Sequence, residues 1–350
     1  MVLRVGIAGF GVVGRRRKQC VDDLTDLDVV AVCDRSFDSS GVLDDGTRSH
    51  STLSGLFSED LDVLIVCLPN DVAPGVTVNG LEAGLHVFCE KPPGRTPADV
   101  QRVIESQRER PELKVMYGFN HRYHESVQEA LSIVRSGRLG SVINMRGTYG
   151  KAKLITFNQP DWRTRREVAG GGVLLDQGIH MVDLMRLFGG ECHEVHSYIS
   201  NSHWGYDVED NAYALMRSDT GVVSLLNSSA TQWRHRFHLD INLERGSLIL
   251  GGLVTGTKSY GAETLTVVEA DPDNDYGDPR EQTTRYNRDS SWDREINVFA
   301  ECIVKDLPVE DGSSLDALRT MQLVYRIYFA DPTWRERYGI PDPDRGREDR

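Results

Sequence analysis

The first 120 residues alternate short apolar segments with segments whose apolar positions recur at helical spacing. The apolar segments predict five strands, at residues 3–9, 29–34, 63–69, 86–90 and 114–119. Helical spacing between them predicts helices at residues 14–23, 51–57, 73–83 and 97–110. This alternation is typical of a parallel sheet with helices on both faces. We therefore predict an α/β domain over residues 1–122.

The pattern changes after residue 122. Helices are predicted at residues 125–136, 172–188, 292–305 and 313–329. Alternating runs predict antiparallel strands with one wet face, at residues 143–149, 195–200, 212–217, 221–228, 237–243, 247–250 and 264–269. The polar, acidic segment 271–291 predicts an exposed loop. We expect an α+β domain with an open, mostly antiparallel sheet over residues 123–340, followed by a charged tail at 341–350.

Composition narrows the class of protein. A chain of 350 residues is long enough for two cores, and its 39% hydrophobic and 27% charged residues are ordinary for a globular protein. The formal net charge of −13 opposes binding to nucleic acid or to an anionic membrane. No apolar run approaches the roughly 20 residues of a spanning helix, the first residues read as a strand, and the six cysteines are scattered. We expect a cytoplasmic protein.

A glycine motif follows the first predicted strand and opens a helix. Its residues are Gly9, Phe10, Gly11, Val12, Val13 and Gly14. The three glycines permit a tight turn, close approach of the backbone to a pyrophosphate, and close packing of helix on strand. Asp34, about 20 residues farther on, ends the second strand, where an acid accepts hydrogen bonds from a ribose. This favours NAD, although the neighbouring Arg35 could stack on adenine or pair with the 2′-phosphate of NADP.

Candidate catalytic residues lie in two later motifs. Glu90-Lys91-Pro92 follows the fourth strand, at the sheet edge where ligands of open α/β sheets bind. A glycine run at 170–172 precedes Asp176, His180 and Asp183, which share one face of a helix. Because histidine titrates near neutrality and a carboxylate can orient it, Asp176 and His180 suit a proton-transfer site. We expect Asp183 to be structural, supporting His180 or contacting a neighbouring chain.

Together these motifs resemble the Gfo/Idh/MocA oxidoreductases, the family of glucose-fructose oxidoreductase and inositol dehydrogenase. The resemblance spans nearly the whole chain and also includes Cys33-Asp34, Leu68-Pro69-Asn70 and the stretch 120–123. It implies a Rossmann domain followed by an open antiparallel sheet that often forms oligomer contacts, with the substrate between the domains. We accordingly expect a homodimer or homotetramer through the open sheet.

The resemblance also implies roles for single residues. Lys91 corresponds to the lysine that contacts the reacting hydroxyl and the nicotinamide region, His180 to the general acid/base, and Asp176 to a carboxylate that binds substrate or supports the histidine. Leu68, Pro69 and Asn70 match the turn beneath the cofactor, and Glu90 accompanies Lys91 there. One departure is Ala73, where many members have a histidine.

Substrate contacts are expected from two further segments. His121 and Arg122 lie where the chain leaves the fifth strand, and Trp162 and Arg163 belong to an arginine-rich loop at residues 159–166. An aromatic beside arginines suits a sugar that carries a phosphate, carboxylate or nucleotide; the alternative is a solvated lid paired with acids elsewhere. The histidines at 193, 196 and 203 do not form a closed ligand set, so we predict no metal.

The resulting hypothesis is an NAD(P)-dependent dehydrogenase acting on a secondary hydroxyl of a sugar, a nucleotide-linked sugar or a cyclitol. Two alternatives remain open at this stage. The cofactor could be oxidised and reduced within one cycle, giving an epimerase or glycosidase without net redox change. The fold could also serve a regulator that binds the cofactor without catalysis, although such a protein need not keep Lys91, Asp176 and His180.

Overall fold

The structure, a computed structural model, describes residues 2–153, 162–271, 273, 277 and 279–343. The chain divides into two compact units. The first unit comprises Met1–Asn120 and Trp292–Leu318, and the second comprises His121–Ser291 and Arg319–Arg350. The chain therefore returns to the first unit after residue 291, in addition to the boundary near residue 122 that the sequence predicts.

Up to residue 120 the elements alternate as predicted. The strands are β1 Leu3–Ala8, β2 Leu27–Cys33, β3 Gly41–Val42, β4 Arg48–His50, β5 Val63–Val66, β6 His86–Glu90 and β7 Val115–Gly118. The helices are α1 Val12–Asp22, α2 Leu53–Phe57, α3 Ala73–Glu82 and α4 Pro97–Arg108.

The strands of the first unit form one sheet in the order β3-β4-β2-β1-β5-β6-β7. All neighbouring pairs are parallel except β3 with β4. Strand β5 is buried throughout, as expected for a strand covered on both faces. The predicted α/β fold is confirmed. The β3–β4 hairpin was not predicted, because its strands are two and three residues long and largely polar.

From residue 121 onward, the strands are β8 Val142–Gly150, β9 Cys192–Ser200, β10 Asn211–Ser218, β11 Val223–Ser229, β12 Arg236–Leu243, β13 Gly246–Gly251, β14 Glu263–Glu269 and β15 Arg280–Tyr286. The helices are α5 Glu125–Ser136, α6 Arg166–Ala169, α7 Ile179–Gly189, α8 Ser291–Val304, α9 Ser314–Ala330 and α10 Pro332–Tyr338. A π-helical turn, Leu174–Gly178, leads directly into α7.

The second unit has a sheet in the order β15-β14-β13-β12-β8-β11-β10-β9. Its neighbours are antiparallel except β8 and β11, which run parallel, so the predicted mostly antiparallel sheet is confirmed. The prediction of a loop over residues 271–291 is wrong in part, because β15 pairs with β14 along its length. This edge strand is polar and largely exposed, so it lacks the apolar alternation that marks the other strands.

The two faces of this sheet differ. Strands β10 and β12 bury every second residue, as alternation predicts. On the opposite face of the sheet, apolar side chains of β9, β10 and β11 are exposed, among them Tyr198, Tyr213, Leu215 and Leu225. The homo-oligomer expected through this face remains a prediction. No helix in the described ranges is long and apolar enough to cross a membrane.

A buried cation ties the returning helix α8 to the first unit. Arg17, on α1, is fully buried and bonds through Nε to Glu90 at 2.6 Å and through Nη2 to Glu295 at 2.5 Å. Its guanidinium also lies over the rings of Phe88 and Trp292, at 4.5 and 4.3 Å. Burial opposes the charge, but the two carboxylates outweigh it and raise the pKa of Arg17.

Replacing Arg17 with alanine should destabilise the protein by about 3–5 kcal/mol, because it leaves two carboxylates without their buried partner. The thermal unfolding midpoint measures this. Arg102→Ala is the matched control, since Arg102 is 60% exposed and pairs with Asp99 within α4; it should cost less than about 1 kcal/mol. Equal effects of the two substitutions would contradict a special role for the buried cation.

Candidate functional site

The glycine turn of the first unit has the geometry that a dinucleotide requires. Gly9 adopts φ +92°, and a Cβ there would overlap the carbonyl of Cys67. A Cβ on Gly14 would overlap the carbonyl of Gly9, whereas one on Gly11 would meet no atom within 4 Å. Gly11 caps α1, whose first turn contains no acidic residue. The turn therefore leaves space beside positively polarised amides, which fits a pyrophosphate.

Asp34 lies against this turn. Its Oδ2 accepts the Phe10 N–H at 2.8 Å, and its Oδ1 accepts the Ser36 N–H at 2.9 Å. Partial burial favours the neutral acid, but these hydrogen bonds and the charge of Arg35 together lower the pKa of Asp34. The carboxylate is thus held ionised beside the glycine turn. Arg35 is exposed, and Val12 is 68% exposed at the start of α1.

The remaining cofactor candidates line the same end of the sheet. Leu68 approaches Gly9, Pro69 begins the turn into α3, and Asn70 is buried. Glu90 is the last residue of β6, and its carboxylate pairs with Arg17. Lys91 follows at intermediate exposure and is joined to Pro92 by a cis peptide bond.

In the second unit, a buried carboxylate organises the glycine run and the helix after it. Glu209 accepts the N–H groups of Gly172 and Leu174 at 2.7 and 2.9 Å, and the hydroxyl of Tyr328 at 2.7 Å. Burial raises the pKa of Glu209, partly offset by these donors. A Cβ on Gly172 would overlap the backbone of Glu209, and one on Gly171 would overlap the Tyr328 hydroxyl. The glycines therefore let this segment approach its anchor.

Asp176 lies in the π-helical turn and is held by two cations. Lys151 donates from Nζ to its Oδ2 at 3.2 Å, and Arg163 donates from Nε to its Oδ1 at 3.3 Å. The side chain of Lys151 is only 8% exposed, whereas that of Arg163 is 30% exposed. Asp176 is therefore paired with two cations, which favour its ionised form. π-Helical turns recur at functional sites.

His180 is buried in the first turn of α7. Its imidazole stacks on that of His121, with ring centroids 3.7 Å apart and planes 12° from parallel. His121 Nε2 lies 3.0 Å from the Tyr149 hydroxyl. Burial and the neighbouring Tyr260 raise the pKa of Tyr149, so it stays a neutral phenol. The stack fixes the plane of His180, since imidazole rotation about χ2 is otherwise broad.

Arg122 and Asp183 form a buried pair. Arg122 donates from Nε and Nη2 to the two oxygens of Asp183, at 2.7 and 2.6 Å, and both side chains are at least 96% buried. Thr320 donates to the same carboxylate at 2.9 Å. This bidentate geometry gives Asp183 a structural partner within its own chain. It also directs Arg122 towards holding α7 rather than towards a ligand.

The arginines of the predicted loop have separate partners. Arg163 lies over the ring of Trp162 at 4.5 Å in addition to its bond with Asp176. Arg165 pairs with Glu167 at 3.5 Å, and Arg166 lies over the ring of Tyr338 at 4.4 Å. Residues 159–161 of this loop lie outside the described residues. The described part is therefore a set of paired cations rather than one cluster.

Sequence reasoning missed several residues around Asp176 and His180. They are Tyr149, Lys151, Glu209, His235 and Tyr260. Tyr149 and Lys151 lie at the end of β8, and a strand end is the signal by which the sequence could have indicated them. Glu209, His235 and Tyr260 lie in loops. Within the described residues, no group of three or more His, Cys, Asp or Glu side chains could hold a metal ion.

Comparisons with known proteins decide the family. Residues 3–119 match an oxidoreductase family with an NAD-binding Rossmann fold, and residues 127–249 match the GFO/IDH/MocA C-terminal domain. The chain belongs to the Gfo/Idh/MocA family. Membership confirms the resemblance and makes the chain an NAD(P)-dependent oxidoreductase.

Several members of the family resemble this chain. Inositol 2-dehydrogenase of Salmonella typhimurium is 25% identical over 77% of this chain and 80% of its own length. D-glucoside 3-dehydrogenase of Escherichia coli is 34% identical over 52% of each chain. The solved structure of a levoglucosan dehydrogenase with NADH has a TM-score of 0.83, 18% identity, and coverage of 95% of this chain and 98% of that one. The structural likeness supports the fold.

Gly172→Ala should destabilise the family's second domain in this chain by about 3 kcal/mol, because the new methyl group meets backbone rather than a movable side chain. Thermal unfolding followed by circular dichroism measures the loss. Gly75→Ala in α3 is the control, since a Cβ there meets nothing within 4 Å; it should be neutral or slightly stabilising. Tolerance of Gly172→Ala would show that the approach to Glu209 is not constrained.

Proposed function

We propose that the protein oxidises a secondary hydroxyl of a sugar or cyclitol, with NAD as the oxidant. The observation that carries this proposal is His180, a buried imidazole held in one plane four residues after an ionised Asp176. Such a group can take a proton from a hydroxyl at neutral pH. The relatives that are inositol, D-glucoside and levoglucosan dehydrogenases by name support a polyhydroxylated substrate.

In this reaction the substrate carbon loses two electrons and a hydrogen as hydride, and its hydroxyl loses a proton. The nicotinamide, when bound, supplies the acceptor for the hydride. His180 takes the hydroxyl proton, and Lys91 stabilises the negative charge that develops on the oxygen. Asp176 accepts a hydrogen bond from a substrate hydroxyl, while Lys151 and Arg163 hold its carboxylate in place. We assign His121 to positioning His180.

The first-unit residues support NAD over NADP. The ionised Asp34 suits the two hydroxyls of an adenosine ribose and would repel a 2′-phosphate. Arg35 is the residue that could reverse this choice, because a guanidinium pairs well with phosphate. The glycine turn, Leu68, Pro69 and Asn70 complete the proposed cofactor contacts.

The substrate contacts are proposed from the second unit. Trp162 offers an aromatic face and Arg163 its remaining donors to a sugar. Because Arg163 and Lys151 already share the carboxylate of Asp176, the structure favours a neutral polyhydroxylated ring over an anionic or nucleotide-linked sugar. Arg122, paired with Asp183, is assigned to holding α7.

Lys91→Ala and His180→Ala should each lower kcat by about 10²- to 10⁴-fold, because each removes a group that acts on the reacting oxygen. Formation of reduced nicotinamide, followed by absorbance over a panel of sugars and cyclitols, measures this. Affinity for NADH should change little for His180→Ala.

Lys305→Ala and His193→Ala are the matched controls, since both side chains are exposed and pair with nearby acids. Full turnover by either active-site variant would refute the mechanism. Product formation without accumulation of reduced nicotinamide would instead support the redox-neutral alternative.

Asp34→Asn should weaken NADH binding about tenfold and narrow the preference over NADPH, because it removes the charge from the hydrogen bonds to the ribose. Fluorescence titration with each reduced cofactor measures both constants. Asp60→Ala, at a 91% exposed side chain, is the control.

The lowered pKa of Asp34 also predicts a pH dependence. The ionised form is present above that pKa and is lost only as the pH falls through it. NADH affinity should therefore be flat between about pH 5 and 8 if Asp34 is the group that matters. Tighter binding of NADPH than NADH by the unmodified protein would overturn the preference for NAD.

A further inference from the structure

An aromatic cluster lies in the second unit beside the residues proposed to bind substrate. It consists of His203, Trp204 and Trp233, whose rings meet edge to face at centroid distances of 4.8, 5.5 and 6.3 Å. Trp233 is 66% exposed. An indole exposed to this extent offers an aromatic face on which a ligand can stack, and the two rings packed against its edges hold it in place.

The cluster is built on a rigid base. Trp204 donates from its indole N–H to the carbonyl of Ala230 at 2.8 Å and packs against buried Val173 and Val208. The N–H groups of His203 and Trp204 both donate to Asp210, at 2.8 and 3.1 Å. The platform is therefore fixed before any ligand arrives, which lowers the entropic cost of binding.

The same loop that carries Trp233 is bonded to the substrate residues. Gln232 donates its N–H to the carbonyl of Lys151 at 3.0 Å, and the ammonium group of Lys151 contacts Asp176 at 3.2 Å. At the other end of the loop, His235 packs on Tyr260 with centroids 5.3 Å apart. One lysine side chain and one residue of backbone thus separate Asp176 from Trp233.

The chemistry of the platform favours a sugar ring as the occupant. One face of a pyranose presents C–H groups, which stack on an indole, while its hydroxyls need polar partners at the edge. The residues that flank Trp233 in the loop include polar side chains, Thr231, which bonds to Asn211, and exposed Arg234. The platform is linked to the residue proposed to bind the reacting ring, because its loop bonds to Lys151 and Lys151 bonds to Asp176.

We propose that His203, Trp204 and Trp233 form a second sugar subsite, and that the substrate is a disaccharide or other glycoside whose non-reacting ring stacks on Trp233. The inference rests on the proposed function, because it places the reacting ring at Asp176 and His180. It adds that the enzyme distinguishes a glycoside from the free monosaccharide. Binding of the remote ring lowers KM and does not itself act on the reacting carbon.

The test compares D-glucose with cellobiose and maltose, and D-galactose with lactose, using NAD and the full-length protein. We expect at least one disaccharide to exceed its monosaccharide in kcat/KM by about tenfold or more. Trp233→Ala should lower that ratio about tenfold, through KM, and Trp233→Phe should restore part of it. Tyr198→Ala, at an exposed aromatic on the open sheet face, should leave the ratio as it is.

Three results would overturn the proposal. The first is equal kcat/KM for monosaccharides and disaccharides. The second is a disaccharide-to-monosaccharide ratio of kcat/KM that Trp233→Ala leaves unchanged, with unchanged sedimentation. The third is the same unchanged ratio with altered sedimentation of Trp233→Ala. The last would show that Trp233 contacts a second copy of the chain.

A separate readout distinguishes failure of the subsite from failure of the proposed function. If none of the five sugars is oxidised with NAD or NADP, calorimetric titration with cellobiose, maltose and lactose still reports the subsite. Binding of one of them by the unmodified protein and its loss in Trp233→Ala would support the platform. No binding of any of the three would overturn it.

Discussion

A charged group buried away from water must be compensated by opposite charges or by hydrogen bonds, and in each unit one such group holds the surrounding backbone in place. In the first unit the fully buried Arg17 draws together Glu90 at the end of β6 and Glu295 on α8. Glu90 immediately precedes Lys91, so the ion pairs that hold the returning helix also set the backbone from which Lys91 extends. Removing one partner would leave a buried charge uncompensated, which costs far more than the pair contributes to stability.

The second unit meets the same requirement with Glu209. Its carboxylate accepts two backbone N–H groups at the start of the segment that carries Asp176 and His180. Because one of these donors is Gly172, the glycine run must approach the backbone of Glu209 more closely than a side chain permits. The glycines that precede the candidate catalytic residues thus have a structural cause, because a Cβ on Gly172 would overlap the backbone of buried Glu209.

The sequence predicted the parts of the structure that follow from local pattern. The parallel strands and the glycine turn depend on neighbouring residues, and both are present. The edge strand β15 was missed because an exposed strand has no apolar face to alternate. The partners of the site residues could not be predicted either. Asp176 meets Lys151 only because β8 and the π-helical turn meet in space.

Arg122 is a second residue whose partner the sequence could not predict. Its position after β7 suggested a ligand contact, yet the guanidinium is paired with Asp183 at a distance of 61 residues in sequence. Spacing in the sequence predicted that Asp183 shares a helix face with Asp176 and His180. It could not indicate which cation would pair with Asp183. Residues that carry charge into a core are predictable as functional or structural only once their counterions are known.

The counterions of Asp176 bear most directly on what the enzyme binds. An isolated carboxylate would prefer a cationic or hydroxyl-bearing ligand, and isolated arginines would prefer an anion. Here Lys151 and Arg163 meet Asp176, so donors and an acceptor are offered together at one place. A sugar hydroxyl both donates and accepts, and therefore matches that combination, whereas a phosphate would satisfy the cations and be repelled by the carboxylate. Under the proposed function these charges favour a neutral polyol, and the proposed subsite at Trp233 extends the same preference to a second ring.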